Sequence, residues 1–159
     1  MRTGTAERKV HGVLFDLDGT LLDTLEDLVA SANFALAEEG LPLSTHAEMR
    51  SYISGGARSM LSYWVVKVIE QRSPMPYPGI NIVAEAHRPL FERLVTRMMD
   101  HYEKNPAHHT RYFGGMEAVL EDIERREIPW GIVTNKRERF TQPLVKALGI
   151  ASRTRCIIS

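Results

Sequence analysis

The sequence predicts an α/β fold in which a parallel, doubly wound sheet is interrupted, after its first strand, by an all-helical insert. Three observations predict it. An apolar run, Val13–Phe15, ends abruptly at two carboxylates. Over residues 24–105 the apolar side chains recur at helical spacing, and no strand pattern interrupts them. Helix and strand patterns then alternate from Gly114 onward, which is typical of a parallel sheet covered by helices.

Two acidic residues follow the first predicted strand. Side chains alternate between the two faces of a strand, so Asp16 and Asp18 project to one side and Leu17 to the other. Gly19 then allows a sharp backbone turn. Two close carboxylates repel each other, and each therefore needs a proton or a cation. Oxygen ligands of this kind favour Mg²⁺; a carboxylate such as Asp16 can form an aspartyl-phosphate, and Asp18 can act as acid and base.

The same pair of acids has two other interpretations. An EF-hand calcium loop is excluded by spacing, because Leu21 stands where that loop requires glycine and Asp27 where it requires glutamate. A capped turn with two solvated acids is the non-functional alternative.

The insert opens with two helices that share a start signal. Thr24 with Asp27 is a near match to a capping box, in which a hydroxyl and an acid three residues apart satisfy the first backbone N–H groups of a helix. Gly40 ends this first helix. Thr45 with Glu48 repeats the signal for a second, short helix.

Two longer amphipathic helices complete the insert, separated by a proline-rich loop over residues 73–79. A hinge-like break at residues 54–58 precedes the first of them and ends in Arg58, whose guanidinium is a candidate to bind an anionic substrate group. A solvated arginine at a helix start is the alternative. Pro89 marks either a kink or the true start of the last helix. The apolar stripes are predicted to be core: Met60, Leu61, Trp64, Val65, Val68 and Ile69, then Leu90, Phe91, Leu94, Val95, Met98 and Tyr102.

The alternating pattern resumes after Gly114 and Gly115 with a helix, a strand over residues 128–134, a helix closed by Gly149, and the start of a further strand at residues 156–158. Thr134 and Asn135 stand at the carboxyl end of the second strand. In a parallel sheet that end lies beside the end of the first strand, so we expect both side chains near the two aspartates. A hydroxyl and an amide are suited to hold phosphate oxygens, whereas an N-cap for the following helix is the alternative.

The string Asp16-Leu17-Asp18-Gly19-Thr20-Leu21 resembles motif I of the haloacid dehalogenase superfamily, and Thr134, with Asn135 beside it, resembles motif II. The resemblance implies a Rossmannoid core built from residues 1–22 and 106–159, with residues 23–105 as a C1-type helical cap. Residues 10–159 are similar to the phosphoglycolate phosphatase-like branch. Residues 53–58 and 130–136 are also similar to the bacterial N-acetylmuramic acid 6-phosphate phosphatases of that branch.

This resemblance implies a Mg²⁺-dependent phosphatase that hydrolyses a small phosphate monoester, phosphoglycolate or a sugar phosphate such as N-acetylmuramic acid 6-phosphate. Asp16 would be nucleophile and metal ligand, and Asp18 acid, base and, through its backbone carbonyl, a further metal ligand. Thr134 and Asn135 would bind phosphate, and Arg58 the substrate. A phosphosugar mutase of the same superfamily and a non-catalytic remnant that binds only phosphate or a partner are the alternatives.

Members of this superfamily carry two further motifs beyond the third strand, a lysine and an acidic pair that completes the Mg²⁺ site, and the sequence ends at Ser159 before either. We therefore expect a truncated form, with the strand Val13–Phe15 left as an exposed sheet edge. Lys136 follows the second strand directly and is not assigned the role of the family's lysine.

The composition of the chain bears on its binding partners, its disulfide content and its location in the cell. The 159 residues carry 20 basic and 20 acidic side chains, interspersed, which excludes the basic footprint of a nucleic-acid partner. The single cysteine, Cys156, rules out an internal disulfide and is predicted to be a buried, inert thiol. No apolar segment approaches the roughly 20 residues needed to span a membrane. The polar residues 1–9 lack a signal-peptide core, so we expect a cytoplasmic protein. No oligomeric state is predicted.

Overall fold

The computed structural model describes residues 9–75 and 79–159. Most of the polar N-terminal segment and the centre of the predicted proline-rich loop therefore lie outside the described residues. The strands are β1 (Val13–Phe15), β2 (Leu22–Asp23), β3 (Arg111–Tyr112), β4 (Trp130–Val133) and β5 (Ile157–Ile158). The α-helices are α1 (Leu25–Glu38), α2 (His46–Met49), α3 (Gly56–Trp64), α4 (Arg88–Lys104), α5 (Met116–Arg125) and α6 (Glu138–Ala147). A 3₁₀ segment, Arg50–Gly55, joins α2 to α3, and a π-helical turn, Val65–Ile69, extends α3.

Three strands form the predicted parallel sheet, in the order β1-β4-β5. In the register, Phe15 pairs with Ile132, and Ile132 with Ile157, so the three strands end at one edge of the sheet. The face that carries these residues shares a hydrophobic core with α5 and α6, including the fully buried Leu120 and Leu144. The prediction of an α/β fold with a parallel sheet is confirmed.

The opposite face of the sheet is largely bare. Leu14, Val133 and Ile158 are 65%, 40% and 58% exposed. Gly131 lies between Leu14 and Cys156 on this face, and a Cβ atom there would stand 2.4 Å from the Cys156 sulfur, which explains the glycine. Strand β1 is an edge strand, as expected. The prediction of a buried thiol is wrong, because Cys156 lies on the bare face and is exposed.

A second hydrophobic core fills the insert. Among the described residues no strand occurs between β2 and β3, as the helical spacing predicted. Helices α1 and α4 pack along each other, and the predicted stripes supply fully buried residues such as Met60, Leu61 and Leu94. Pro89 stands in the first turn of α4, so it marks the start of the helix and no kink. No helix in the described part of the chain has the length and apolarity to cross a bilayer.

A short antiparallel pair, β2 with β3, joins the two ends of the insert. Leu22 pairs with Tyr112 and Asp23 with Arg111. The sequence did not predict this pair, because two-residue strands leave no periodic pattern to detect. The pairing of β2 with β3 therefore holds the start and the end of the helical insert next to each other.

The two predicted capping boxes have different outcomes. Thr45 and Glu48 form one at the start of α2: Thr45 N donates to Glu48 Oε2 at 2.9 Å, and Glu48 N donates to Thr45 Oγ1 at 3.3 Å. The prediction for Thr24 and Asp27 is wrong, because Thr24 precedes α1 without a side-chain cap bond. Its hydroxyl donates to Asp18, and Asp27 accepts bonds from residues that lead into β3.

Candidate functional site

The site is built where β1 and β4 end side by side. Asp16 follows β1 directly and is exposed to solvent. Its Oδ1 accepts a hydrogen bond from the backbone N–H of Leu17 at 2.8 Å. Gly19 adopts φ +83°, a conformation that favours glycine, and turns the chain away from the sheet. The Asp16 carboxylate is thus held through Oδ1 by the Leu17 N–H and remains accessible to a ligand from solvent.

Asp18 has different surroundings, although it lies only two residues further on. Its side chain is 13% exposed. The Thr24 hydroxyl donates to its Oδ1 at 2.6 Å. The ammonium group of Lys136 lies 3.1 Å from Oδ1 and 3.2 Å from Oδ2. Both carboxylate oxygens therefore have a donor, and the plane of the carboxylate is fixed by contacts from two directions.

Lys136 also belongs to this cluster, and the sequence analysis assigned it no role there. Its side chain is 8% exposed, and its Nζ lies 4.6 Å from the ring centroid of Tyr102 in α4. Burial opposes the charge, but interactions with Tyr102 and Asp18 outweigh it and hold the pKa of Lys136 above its usual value. The only sequence signal was position, since Lys136 stands one residue beyond Asn135 at the same strand end.

Tyr102 was predicted as core, and it is buried at 5% exposure. Its ring also packs edge-on against Phe140 of α6, with centroids 5.8 Å apart. Burial raises the pKa of its phenol. The last helix of the insert therefore reaches the site through an aromatic ring, a contact that helical periodicity could not reveal.

Thr134 and Asn135 follow β4, at the sheet edge where Asp16 and Asp18 follow β1. The Thr134 hydroxyl oxygen accepts from the backbone N–H of Lys136 at 3.2 Å, which leaves its O–H to donate. Asn135 is exposed, and its amide donates to the carbonyl of Ser54 in the insert at 3.2 Å. Helix α6 begins after Arg137, so Thr134 is not its N-cap.

Arg58 stands in the first turn of α3 and is 45% exposed. Its two terminal nitrogens lie 2.9 and 2.5 Å from the carboxylate oxygens of Glu92 in α4. The guanidinium also lies over the Phe91 ring, 5.4 Å from its centroid. The structure thus uses Arg58 to join α3 and α4, and a substrate anion bound there would compete with Glu92.

The oxygen atoms of the site are of the type that binds a hard divalent cation. Asp16 presents a carboxylate and Asp18 a backbone carbonyl, and both supply oxygen, the ligand atom that Mg²⁺ prefers. Within residues 9–75 and 79–159, no group of three or more His, Cys, Asp and Glu side chains is arranged to hold a metal ion. Asp16 and Asp18 would hold Mg²⁺ here, and the ion would supply positive charge to a bound phosphate.

The chain is similar to known proteins both in sequence and in fold. The sequence model of the haloacid dehalogenase-like hydrolases matches residues 13–159. The N-acetylmuramic acid 6-phosphate phosphatase of Pseudomonas putida is 37% identical over 150 residues, covering 94% of this chain and 60% of that protein. The phosphoglycolate phosphatase of Xanthomonas campestris pv. campestris is 36% identical over 148 residues, covering 93% of this chain and 59% of the relative.

A solved structure described as a predicted phosphoglycolate phosphatase, from Haemophilus somnus, superimposes with a TM-score of 0.74 at 24% identity. It covers 96% of this chain, which in turn covers 64% of that structure. At this identity the likeness shows the fold alone. The chain spans about three fifths of the length of the curated relatives it matches.

Proposed function

Because the chain belongs to the haloacid dehalogenase-like hydrolase family, we propose that the protein is a Mg²⁺-dependent phosphatase that releases phosphate from a small phosphorylated metabolite. The observation that carries this proposal is the contrast between two neighbouring acids. The exposed Asp16 carboxylate accepts a hydrogen bond from the Leu17 N–H, whereas the Asp18 carboxylate accepts from the Thr24 hydroxyl and the Lys136 ammonium group. One carboxylate is free to attack, and the other is oriented for proton transfer.

In the proposed reaction the Asp16 carboxylate attacks phosphorus and forms an aspartyl-phosphate, while the bond to the leaving oxygen breaks. Asp18, protonated at this step, transfers its proton to that oxygen and becomes a carboxylate. In the second step Asp18 takes a proton from water, which attacks the aspartyl-phosphate and releases inorganic phosphate. The two acids therefore divide the work of nucleophile and acid/base, as their different surroundings suit.

Thr134 and Asn135 are proposed to hold the transferring phosphate. Thr134 keeps a free O–H, and Asn135 keeps an exposed amide, so both have donors for phosphate oxygens. Mg²⁺, held by Asp16 and by Asp18, would neutralise part of the charge on the phosphate.

We propose that residues 23–105 act as a cap over a core of residues 1–22 and 106–159. The cap would exclude water and complete the substrate site. Asn135 already contacts Ser54 of this segment, which supports an approach of the insert to the phosphate-binding edge. Arg58 is proposed to bind an anionic part of the substrate in exchange for Glu92.

The names of the relatives support phosphoglycolate and N-acetylmuramic acid 6-phosphate as the first substrates to examine. Purified protein should be assayed with Mg²⁺ for phosphate release from both, and from p-nitrophenyl phosphate, in parallel with Asp16→Asn. We expect release by the wild type and a loss of about 10³-fold or more in the variant, the scale on which removal of a nucleophile acts. Glu26→Gln, at an exposed acid in the first turn of α1, is the control and should retain activity.

Each outcome of this assay decides between functions. Full activity of Asp16→Asn would refute the nucleophile. An isomerised sugar phosphate without free phosphate would instead indicate a phosphosugar mutase. Phosphate binding by wild-type protein that turns over no ester would indicate a non-catalytic protein.

A further inference from the structure

The ammonium group of Lys136 contacts both Asp18, the proposed acid/base, and Tyr102 in helix α4 of the insert. We infer that it is a positioning residue that links the Asp18 carboxylate to α4 through the ring of Tyr102. The inference rests on the proposed function, since it gives Lys136 a part in the same reaction. Its evidence is the geometry of three side chains from three segments of the chain.

The first contact is an ion pair with both oxygens of Asp18, at 3.1 and 3.2 Å. With exposures of 8% for Lys136 and 13% for Asp18, the pair is almost withdrawn from water. A desolvated pair contributes little net stability unless its geometry is good, but removal of one partner leaves the other as an uncompensated buried charge. Removing the ammonium would leave Thr24 as the remaining donor to the Asp18 carboxylate among the described residues.

The second contact is with Tyr102. An ammonium 4.6 Å from a ring centroid lies within the range of a cation–π interaction, which strengthens when water is excluded. Tyr102 is buried and is itself supported by Phe140 of α6. A displacement of α4 would therefore remove the ring from Lys136, and Lys136 would lose one of the two contacts that hold its ammonium against Asp18.

Thr24 gives Asp18 a further connection to the insert, because it immediately precedes α1. The Asp18 carboxylate thus accepts from Thr24, which precedes α1, and from Lys136, whose ammonium group lies against the Tyr102 ring of α4. Substitution of Lys136 removes one of these donors and leaves Asp18 and its bond from Thr24 in the chain.

A thermodynamic cycle tests the link without any turnover. Asp18→Asn and Tyr102→Leu are made singly and together, first in the wild-type background and then with Lys136→Met, which keeps an unbranched side chain without the ammonium group. With Lys136 present, we expect the two substitutions to be non-additive by about tenfold in the unfolding equilibrium constant, the usual scale for coupled neighbours. With Lys136→Met the coupling should disappear. Tyr102→Phe, which keeps the ring, should preserve it.

The chain offers a matched control. Lys67 pairs with Glu48 at 2.8 Å and lies 5.4 Å from the ring centroid of Tyr63, which is the same combination of groups within the insert. Lys67→Met should leave the coupling between Asp18 and Tyr102 unchanged. Additivity of these two substitutions in the wild-type background, or coupling that persists in Lys136→Met, would overturn the link.

Kinetics test the positioning role. The value of kcat/KM covers the steps through departure of the leaving group, and p-nitrophenolate departs with little need of a proton. Lys136→Met should therefore lower kcat/KM about tenfold or more for an alkyl phosphate and much less for p-nitrophenyl phosphate, and Lys136→Arg should restore part of the loss. Equal losses for both esters would overturn the positioning role. A wild-type protein without turnover would overturn the proposed function, and the thermodynamic cycle would still decide the link.

Discussion

Asp16 and Asp18 show how far a single side chain can be understood from sequence. The alternation of a strand predicted that both carboxylates project to one side, and the structure shows that both residues follow the end of β1. Their difference was not predictable, because it depends on Thr24 and on Lys136, which is 118 positions away from Asp18. The identity of a residue is local information, whereas its hydrogen-bond partners are set by the packing of distant segments.

Asp27 was assigned to a helix cap from a similar local argument, and its real partners predict a different sensitivity. It is 3% exposed and accepts from His109 N at 2.8 Å, Thr110 N at 2.9 Å and Thr110 Oγ1 at 2.6 Å. Asp27→Ala leaves these donors unpaired. We expect the free energy of unfolding to fall by about 2–4 kcal/mol, measured by urea denaturation.

The neighbouring acid provides the control for that measurement. Glu26 lies in the same helical turn with its side chain 59% exposed, and Glu26→Ala should change the free energy of unfolding by less than about 0.5 kcal/mol. If Asp27→Ala proved no more destabilising than Glu26→Ala, the bonds from His109 and Thr110 would not stabilise the fold.

At the scale of elements, helices with long apolar stripes were predictable and short elements were not. The buried face of α4 follows the predicted spacing, because burial of a helical stripe is a regular consequence of the 3.6-residue turn. Strands β2 and β3 have two residues each and exist only because their partner strand is present. The capping box of α2 was predictable because both of its members belong to one turn.

This capping box makes the stability of the insert depend on pH. The hydrogen bond from Lys67, followed by bonds from the backbone and hydroxyl of Thr45, lowers the pKa of Glu48 from 4.5 to about 2. A carboxyl whose pKa is lower in the folded state stabilises the fold above its unfolded value of 4.5, and this contribution is lost as the pH falls from 4.5 towards 2.

The corresponding experiment compares Glu48→Gln with wild type in urea denaturation at several pH values. Because about a third of the Glu48 side chain is exposed, screening reduces the contribution, and we expect a loss of about 1 kcal/mol at pH 7 that shrinks towards pH 2. Glu85→Gln, at a side chain 82% exposed, serves as the control. A difference between Glu48→Gln and wild type that stayed constant with pH would contradict the assigned pKa.

At the scale of the whole molecule, the sequence predicted the parallel sheet, the helical insert and the edge position of β1. It did not predict that one face of the sheet would be largely bare, with Leu14, Val133 and Ile158 exposed. Alternation along each strand places these side chains together, but only the packing shows that no helix of the described residues covers them. The open edge of β1 and the exposed apolar face of the sheet together form a surface that favours association between protein molecules.

We therefore expect the 159-residue chain to self-associate with increasing concentration and Leu14→Lys to reduce this association. Leu14 suits the test because it lies in the edge strand and is 65% exposed. Sedimentation velocity over a range of concentrations measures the effect. Leu43→Lys, at a position 60% exposed in the insert, is the control; equal effects of the two substitutions would show that the sheet face is not responsible.

In the proposed reaction, Asp16 carries the phosphoryl group during turnover. The most direct test of this step mixes the purified protein and Mg²⁺ with a ³²P-labelled phosphate ester, stops the reaction in acid within milliseconds and locates the label by peptide mass spectrometry. We expect an acid-stable, hydroxylamine-sensitive phosphoryl group on Asp16 that is absent from Asp16→Asn. Turnover without label on the protein, or label on Asp18, would contradict it.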